Sequence, residues 1–472
     1  MRTNYSEYLT HPVFKVASQV VTENDLQAYV IGGFVRDLIL ERPSKDIDIV
    51  VVGNGMELAK ACAEKLRVKK VSYFKNFGTA QFKYKDLEVE FVGARKESYN
   101  RNSRKPIVED GSLADDQNRR DFTINALALS LHKESFGDII DPFGGLVDLE
   151  NELIKTPLEP DTTFSDDPLR MMRAIRFASQ LDFKIEHQCL ESIARNAHRL
   201  EIISQERIMD ELNKIILSKV PSRGFKLLFS TKLLHEFFPE MVALYGVEKR
   251  KGKTHKDNFY HTLEVLDNIS ENTDSLWLRW SAIMHDIAKP PTKRFHPKAG
   301  WTFHGHEELG SRMVPKIFKR MKLPLDAKMK YVQKLVRLHL RPIALVKGNV
   351  TDSAIRRLLS EAGDDVDDLM TLCNADITSK NELKVKKFKR NFETVLQKLR
   401  DVEEKDRIRN FQPPVDGEEI MKTFDIPPCA EVGTIKKRIK EAILEGEIEN
   451  DHDQAFEYMM KIAGELGLAT NS

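Results

Sequence analysis

Asp46 and Asp48 stand two residues apart in the β-branched run Asp46-Ile-Asp-Ile-Val-Val-Val52. Side chains alternate faces along a strand, so the two carboxylates share one face while Ile47 and Ile49 point to the core. Adjacent carboxylates repel unless a cation lies between them. Mg²⁺ suits that position, because it binds a few carboxylates together with phosphate oxygens. Just upstream, the apolar pair Val30-Ile31 breaks at Gly32-Gly33 and continues as an amphipathic helix, Phe34 to Leu40, carrying Arg36 and Asp37. Glycines at a strand-to-helix junction let the backbone approach a bound group, and the amides of the helix N-terminus favour an anion. Alone, an Asp-x-Asp is commonly a solvated strand edge and a Gly-Gly a turn. In this order they read as nucleotidyl transfer: a phosphate cradle beside a metal-binding carboxylate pair.

Two further groups could serve the same chemistry. In Arg119-Arg-Asp-Phe-Thr-Ile-Asn-Ala-Leu127, Asp121 suits a helix N-terminus, with Ile124, Leu127 and Ala128 as the buried stripe. Arg120 would then face phosphates and Asp121 a ribose hydroxyl; the plainer reading is a cap and a surface arginine. The second group lies on a helix expected from Asp166 to Ser179, with Pro168 in its first turn. Leu169, Met172, Ile175 and Phe177 can pack inward, while Asp167, Arg170, Arg173 and Arg176 recur every three residues along one side. A carboxylate only accepts hydrogen bonds and a guanidinium only donates. Cytosine and adenine offer an amino donor beside a ring-nitrogen acceptor; guanine and uracil offer the reverse. An Asp167–Arg170 pair aimed at the base edge would accept C and A and leave unpaired groups against G and U. The commoner meaning of such a pair is an intrahelical salt bridge.

A second candidate centre lies downstream. His255, His261, His285-Asp286, His304, His306, His339 and Asp376 are spread through helical segments. Imidazoles and carboxylates on neighbouring helices can enclose a divalent metal that activates water. The His-Asp dipeptide follows the apolar stretch Leu276 to Met284, which puts it at a buried helix end. Any one of these histidines is more commonly structural, but the ordered set with the dipeptide points to metal binding.

The elements that must position these groups can be read along the chain. One helix precedes Val30, another covers Met56 to Leu66, and strands follow over Lys70–Tyr73, Thr79–Tyr84 and Leu87–Val92. On the last strand Glu88 and Glu90 share a face, and Glu90 is either a third carboxylate of the metal site or an exposed strand charge. Residues Asn100 to Gln117 are polar with Pro and Gly and read as a mobile loop. Asp141-Pro-Phe-Gly-Gly is a turn, and Ser204 caps a helix running to Lys214. A basic helix starts at Lys384, followed by a tail dotted with Lys and Arg. The 472 residues leave room for several domains, and 74 basic against 73 acidic residues leave no global field to draw nucleic acid. Any RNA contact must come from local basic patches. Cys62, Cys189, Cys373 and Cys429 have neither metal nor disulfide spacing, and no apolar run is long enough to cross a bilayer. The expected protein is soluble and cytoplasmic, with no membrane partner.

Gly32-Gly-Phe-Val-Arg-Asp37 followed by Asp46-Ile-Asp48 resembles the signature of class II tRNA nucleotidyltransferases, the CCA-adding enzymes, and of bacterial poly(A) polymerases. Both belong to the polymerase-beta nucleotidyltransferase superfamily. The resemblance continues through Phe77–Tyr99, Arg119–Ala126, Asp141–Asp148, the Asp166-Asp-Pro-Leu-Arg170 stretch and Ser204–Leu212, and loosely through Asp416–Gly446. Asp166 stands where the family usually has Glu. The set His261, His285-Asp286, His339 and Asp376 is similar to the HD phosphohydrolase superfamily, with His306 a further candidate ligand.

The resemblance implies an α+β fold: an N-terminal polymerase-beta-like head with a mixed sheet and helices, then an all-α neck, HD body and tail. Its expected borders are 1–155 for the head, 156–225 for the neck, 226–390 for the HD domain and 391–472 for a tail that grips tRNA. It implies addition of CCA to tRNA 3′ ends from CTP and ATP without a nucleic-acid template, releasing pyrophosphate. Asp46 and Asp48 would hold Mg²⁺. Gly32, Gly33, Arg36, Arg120, Asp121, Asn125, Arg173 and Arg176 would seat the nucleotide, with Asp167 and Arg170 reading the base. Glu206 and Arg207 would brace the neck, and the HD residues would hold a second divalent metal. A split enzyme adding only CC or only A shares these features. A poly(A) polymerase is disfavoured because Phe77-Gly-Thr-Ala stands where its Gly-Arg-Arg-Phe is expected. An HD phosphohydrolase with a merely binding head is disfavoured by the intact Asp46/Asp48 pair.

Overall fold

In the computed structural model, residues 3–75, 78–100, 103–347, 351–378, 382–406, 408 and 411–468 are described. Phe77, part of one motif above, lies outside them. The chain divides into two compact units, Met1–Pro239 and Glu240–Ser472.

The first unit begins with α1 (Pro12–Glu23), where His11 caps the first turn and Pro12 takes the position that needs no N–H. It leads through β1 (Ala28–Ile31) into α2 (Gly33–Ile39) and β2 (Asp46–Val51). The Asn54 side chain accepts from the amides of Met56 and Glu57 to start α3 (Gly55–Leu66). Then come β3 (Val71–Phe74), β4 (Thr79–Tyr84) and β5 (Leu87–Gly93). One sheet runs in the order β3-β4-β5-β2-β1-β8-β9, completed by β8 (Ala128–Ser130) and β9 (Ile139–Ile140). Within this sheet only the β2–β5 pair is parallel. One face of the sheet buries Ile47, Ile49, Phe82, Val89 and Phe91, with α3 packed on β4 and β5. The other face carries Asp46, Asp48 and Glu90.

Two expectations fail here. The stretch read as a mobile loop forms a hairpin, β6 (Arg95–Asn100) with β7 (Ser103–Asp110), and then α4 (Leu113–Asn118). A reciprocal capping box between Ser112 and Asp115 starts that helix. The polar sequence of this ribbon lacks the apolar alternation that betrays a strand. The helix expected at Asp121 is instead a 3-10 turn, Thr123–Asn125, followed by β8. Ile124, Leu127 and Ala128 are buried as expected, but a short apolar run cannot tell a strand from a helix.

The rest of the first unit is helical apart from a short parallel pair, Leu153–Ile154 with Lys184–Ile185. After α5 (Gly145–Glu150), whose first amides are capped by Asp141, come α6 (Pro160–Asp166) and α7 (Leu169–Leu181). The expected single helix from Asp166 is therefore two, broken at Asp167, whose extended backbone precedes Pro168. Next are α8 (His187–Asn196), α9 (Gln205–Ile216) and α10 (Pro221–Ser230), with α7 packed on α9 and α10. The second unit is almost wholly helical and includes helices Asn258–Ser270, Leu276–Met284, His306–Arg320, Ala327–Leu338, Val366–Ala375 and Glu382–Asp406. Among the described residues no helix is long and apolar enough to cross a membrane.

Candidate active site

A cleft of about 500 Å³ in the first unit is lined by α2, β2, the Arg119–Asn125 segment, α7 and α9. It brings together Gly33, Arg36, Asp46, Asp48, Arg120, Asp121, Asn125, Asp167, Arg170, Arg173 and Arg176. Gly32, next to the lining residue Gly33 but not itself in the lining, has φ +85°, and a Cβ there would meet Arg120 Nη1 at 2.9 Å and Asp48 Oδ2 at 3.4 Å. The backbone shape requires glycine there, since other residues rarely adopt that positive φ. This is how the strand-to-helix break sets an arginine beside the carboxylate pair.

The carboxylates are crowded. Burial pushes the Asp48 carboxyl up against the pull of Arg120, and Asp46 adds to the rise. Glu90, the register partner of Asp48 on β5, is half-buried and likewise pushed up, first by burial and then by Asp48. It is thus a close neighbour of the pair rather than a free strand charge. An oxygen-only set of crowded carboxylates fits a hard divalent cation such as Mg²⁺.

The arginines are held in place by acidic and amide partners, of which Asp116 and Glu211 were not singled out from the sequence. Asp116 is fully buried and pairs with Arg119 at 2.6 Å and Arg120 at 3.1 Å. Arg36 donates to Asn125 Oδ1 at 2.8 Å and forks onto Asp37. Asp121 accepts from Arg173 Nε at 2.7 Å and Asn125 Nδ2 at 3.0 Å. Burial would raise the Asp121 carboxyl, but Arg173 and Asn125 reverse that and hold it at about 2. Its oxygens are therefore already engaged where a ribose contact was expected.

Arg176 is lowered to about 10 by burial, despite Glu211 at 3.1 Å. The Phe177 ring lies under three guanidiniums, with Arg176 at 4.2 Å, Arg36 at 4.8 Å and Arg173 at 5.4 Å from its centroid. Phe177 was expected only to pack inward; its place beside Arg176 and four residues after Arg173 was the available signal. Asp167 and Arg170 form no salt bridge with each other. Asp167 accepts from the Leu169 amide, and Arg170 donates to the Arg119 carbonyl at 2.6 Å. Arg207, expected only to brace the neck, also lines the cleft.

The second unit holds a different cluster. Asp286 and His285, at the end of helix Leu276–Met284, are fully buried. His285 Nε2 lies 3.2 Å from Asp286 Oδ2, His306 Nε2 3.2 Å and His339 Nε2 3.9 Å from Oδ1. His261 Nε2 lies 2.9 Å from Asp376 Oδ1 and 3.5 Å from Asp286. The Nδ1 atoms of His285, His306 and His339 each sit 2.7 Å from a backbone carbonyl oxygen, which fixes the tautomer and turns the Nε2 lone pair inward. None of those three Nε2 atoms makes a hydrogen bond. Burial lowers His339 to about 4, so it is a neutral imidazole, the form that binds metal. Orphaned imidazole nitrogens converging on carboxylates fit a divalent transition metal such as zinc. His255 and His304 stay outside: His255 packs against Trp301 and Phe303, and His304 is exposed.

Comparison with known proteins finds three family models along the chain. Residues 28–155 match a model described as the Poly A polymerase head domain, and residues 258–381 match the HD domain. Residues 182–244 match a model described as "Probable RNA and SrmB- binding site of polymerase A". An A-adding tRNA nucleotidyltransferase of Aquifex aeolicus is 42% identical over 203 residues, which are 43% of this chain and 24% of that longer protein. Another, of Deinococcus radiodurans, is 31% identical over 71% of this chain and 76% of its own length. A CCA-adding enzyme of Bacillus pumilus is 35% identical over 56% and 60%. Among solved structures, a tRNA nucleotidyltransferase complexed with a primer tRNA and an incoming ATP analog aligns at TM-score 0.59 and 26% identity, covering 82% of this chain and 99% of that one.

Proposed function

The chain belongs to the tRNA nucleotidyltransferase family, and on that premise we propose that it adds CCA to tRNA 3′ ends from CTP and ATP without a nucleic-acid template. The observation that carries this reading is one cleft joining the Asp46/Asp48 pair to the Asp167–Arg170 edge through a wall of arginines. Asp46 and Asp48 would hold Mg²⁺, which when bound would supply activation of the RNA 3′-hydroxyl and stabilisation of the charge on the departing pyrophosphate. Arg36, Arg120, Arg173 and Arg176 seat the triphosphate, with Gly32 and Gly33 allowing its close approach. Asp121 and Asn125 keep Arg173 and Arg36 aimed. Asp167 accepts from the exocyclic amine of C or A while Arg170 donates to the ring nitrogen.

In this reading residues 1–155 perform transfer and 156–225 choose the base. Residues 226–390 form a metal-bearing HD domain, and 391–472 hold the tRNA in the cytoplasm. A second reading, addition of A alone, is favoured by the likeness to A-adding relatives. The test supplies tRNA transcripts ending before CCA, after C and after CC with each nucleoside triphosphate singly and together. Ordered C, C and A followed by arrest is the expected result. Addition of A only to the CC-ended transcript would establish the second reading, and no incorporation would overturn both.

A further inference from the structure

The sheet has two sides about its carboxylates. On the β1 side of β2 lie Gly32, Gly33 and the Arg119–Asn125 segment, the guanidinium wall already described. On the other side the open face continues over β5 and β4 to the edge strand β3. The register makes two rows across it: Asp46–Glu88–Lys83, and Asp48–Glu90–Gln81–Ser72. With strands about 4.8 Å apart, Lys83 lies about 10 Å from Asp46.

There a groove opens, lined by Arg67, Lys69, Lys70, Lys83 and Lys85, all exposed. None of these five cations has an ion pair among the described residues. The only carboxylate in the lining is Glu88, within reach of the Gln81 amide at 3.4 Å. On the same edge Tyr73 and Phe74 are 45% and 46% exposed. Unpaired cations with exposed rings on a sheet edge are what a single strand of nucleic acid needs: charge for its phosphates, planes for its bases. Lysines that guard an edge against pairing with other chains would lie on the edge strand itself, whereas β3 carries none and Lys83 sits on β4, in a row with Asp46.

We propose that this groove binds the phosphate backbone of the RNA strand being extended, so that primer and nucleotide meet the carboxylate pair from opposite sides. The assignment rests on the transferase reading for what the strand is, and on the groove's own charge for its binding.

The full-length chain is titrated into a labelled RNA hairpin with a single-stranded 3′ end, at salt from about 50 to about 200 mM. Lys69→Ala/Lys70→Ala/Lys83→Ala is expected to weaken binding about tenfold or more and to reduce the salt slope by about 2, the loss of roughly three phosphate contacts. KM for RNA rises in step while KM for ATP and CTP does not move, and the Lys→Arg triple variant restores binding. A single Lys83→Glu variant, at an exposed position, gives the same direction should the triple variant fold poorly. Unchanged affinity and salt slope overturn the proposal, as does a parallel rise in nucleotide KM. If the wild-type protein extends no RNA, the transferase reading has failed, and the titration, which needs no catalysis, still decides the groove.

Discussion

The cleft and the histidine cluster are both built from charged groups, but they are unsatisfied in opposite ways. In the cleft nearly every arginine already has a buried acid or a ring against it: Asp116, Asp121, Glu211, Phe177. What it offers a ligand is surplus positive field with a crowded carboxylate pair at one end, suited to a triphosphate and a hard cation. In the cluster it is the acceptors that are orphaned, with three imidazole nitrogens converging on Asp286. A buried orphaned acceptor costs stability unless a cation fills the gap. On the proposed reading the first arrangement receives a substrate and the second a resident ion.

The sharpest break of this comparison is a double dissociation. Asp46→Ala with Asp48→Ala should lower nucleotide incorporation by about 1,000-fold or more, since the metal's contribution is worth several kcal/mol. Metal bound in the second unit, measured by atomic absorption, should be unchanged. His285→Ala with Asp286→Ala should do the reverse, abolishing that bound metal while incorporation persists. Loss of incorporation in both variants would show the two centres to be coupled.

A smaller effect belongs to base choice. Arg170→Ala should relax the preference for CTP and ATP over UTP and GTP by about 10- to 100-fold, the worth of one good base-edge contact. The readout is the ratio of kcat/KM values. An equal fall for all four nucleotides would instead mark Arg170 as a brace for the Arg119 segment.

The smallest concerns stability. Asp121 is held at about 2, below its ordinary 3.8, so its ionised form stabilises the fold above the ordinary value. That contribution disappears as pH falls through about 2, and at neutral pH it is about 2 kcal/mol. Asp121→Asn should therefore melt below wild type at pH 7, with the two curves converging as pH drops toward 2. A constant gap across that range would assign the loss to packing.

What the sequence determined by itself is local. Strand alternation puts Asp46 and Asp48 on one face and Ile47 and Ile49 in the core, and the glycine break forces the turn at Gly32; neither depends on distant residues. The three-residue recurrence of Arg170, Arg173 and Arg176 likewise turns them to one cleft once α7 forms, and Asp167 joins them from the extended break before that helix. Tertiary structure decided what no local pattern encodes. The turn and strand after Asp121 won over a helix because β1 supplied a partner for Ala128–Ser130. The hairpin at Arg95–Asp110 formed by pairing its own two strands, with no apolar alternation in its sequence to announce it. Asp121 found Arg173 across 52 positions and Arg176 found Glu211, and of the histidines in the second unit His306 joined Asp286 while His255 and His304 did not. Period and turn chemistry act over a few residues, but the partner of a buried charge is chosen by whichever helix the whole chain brings alongside it.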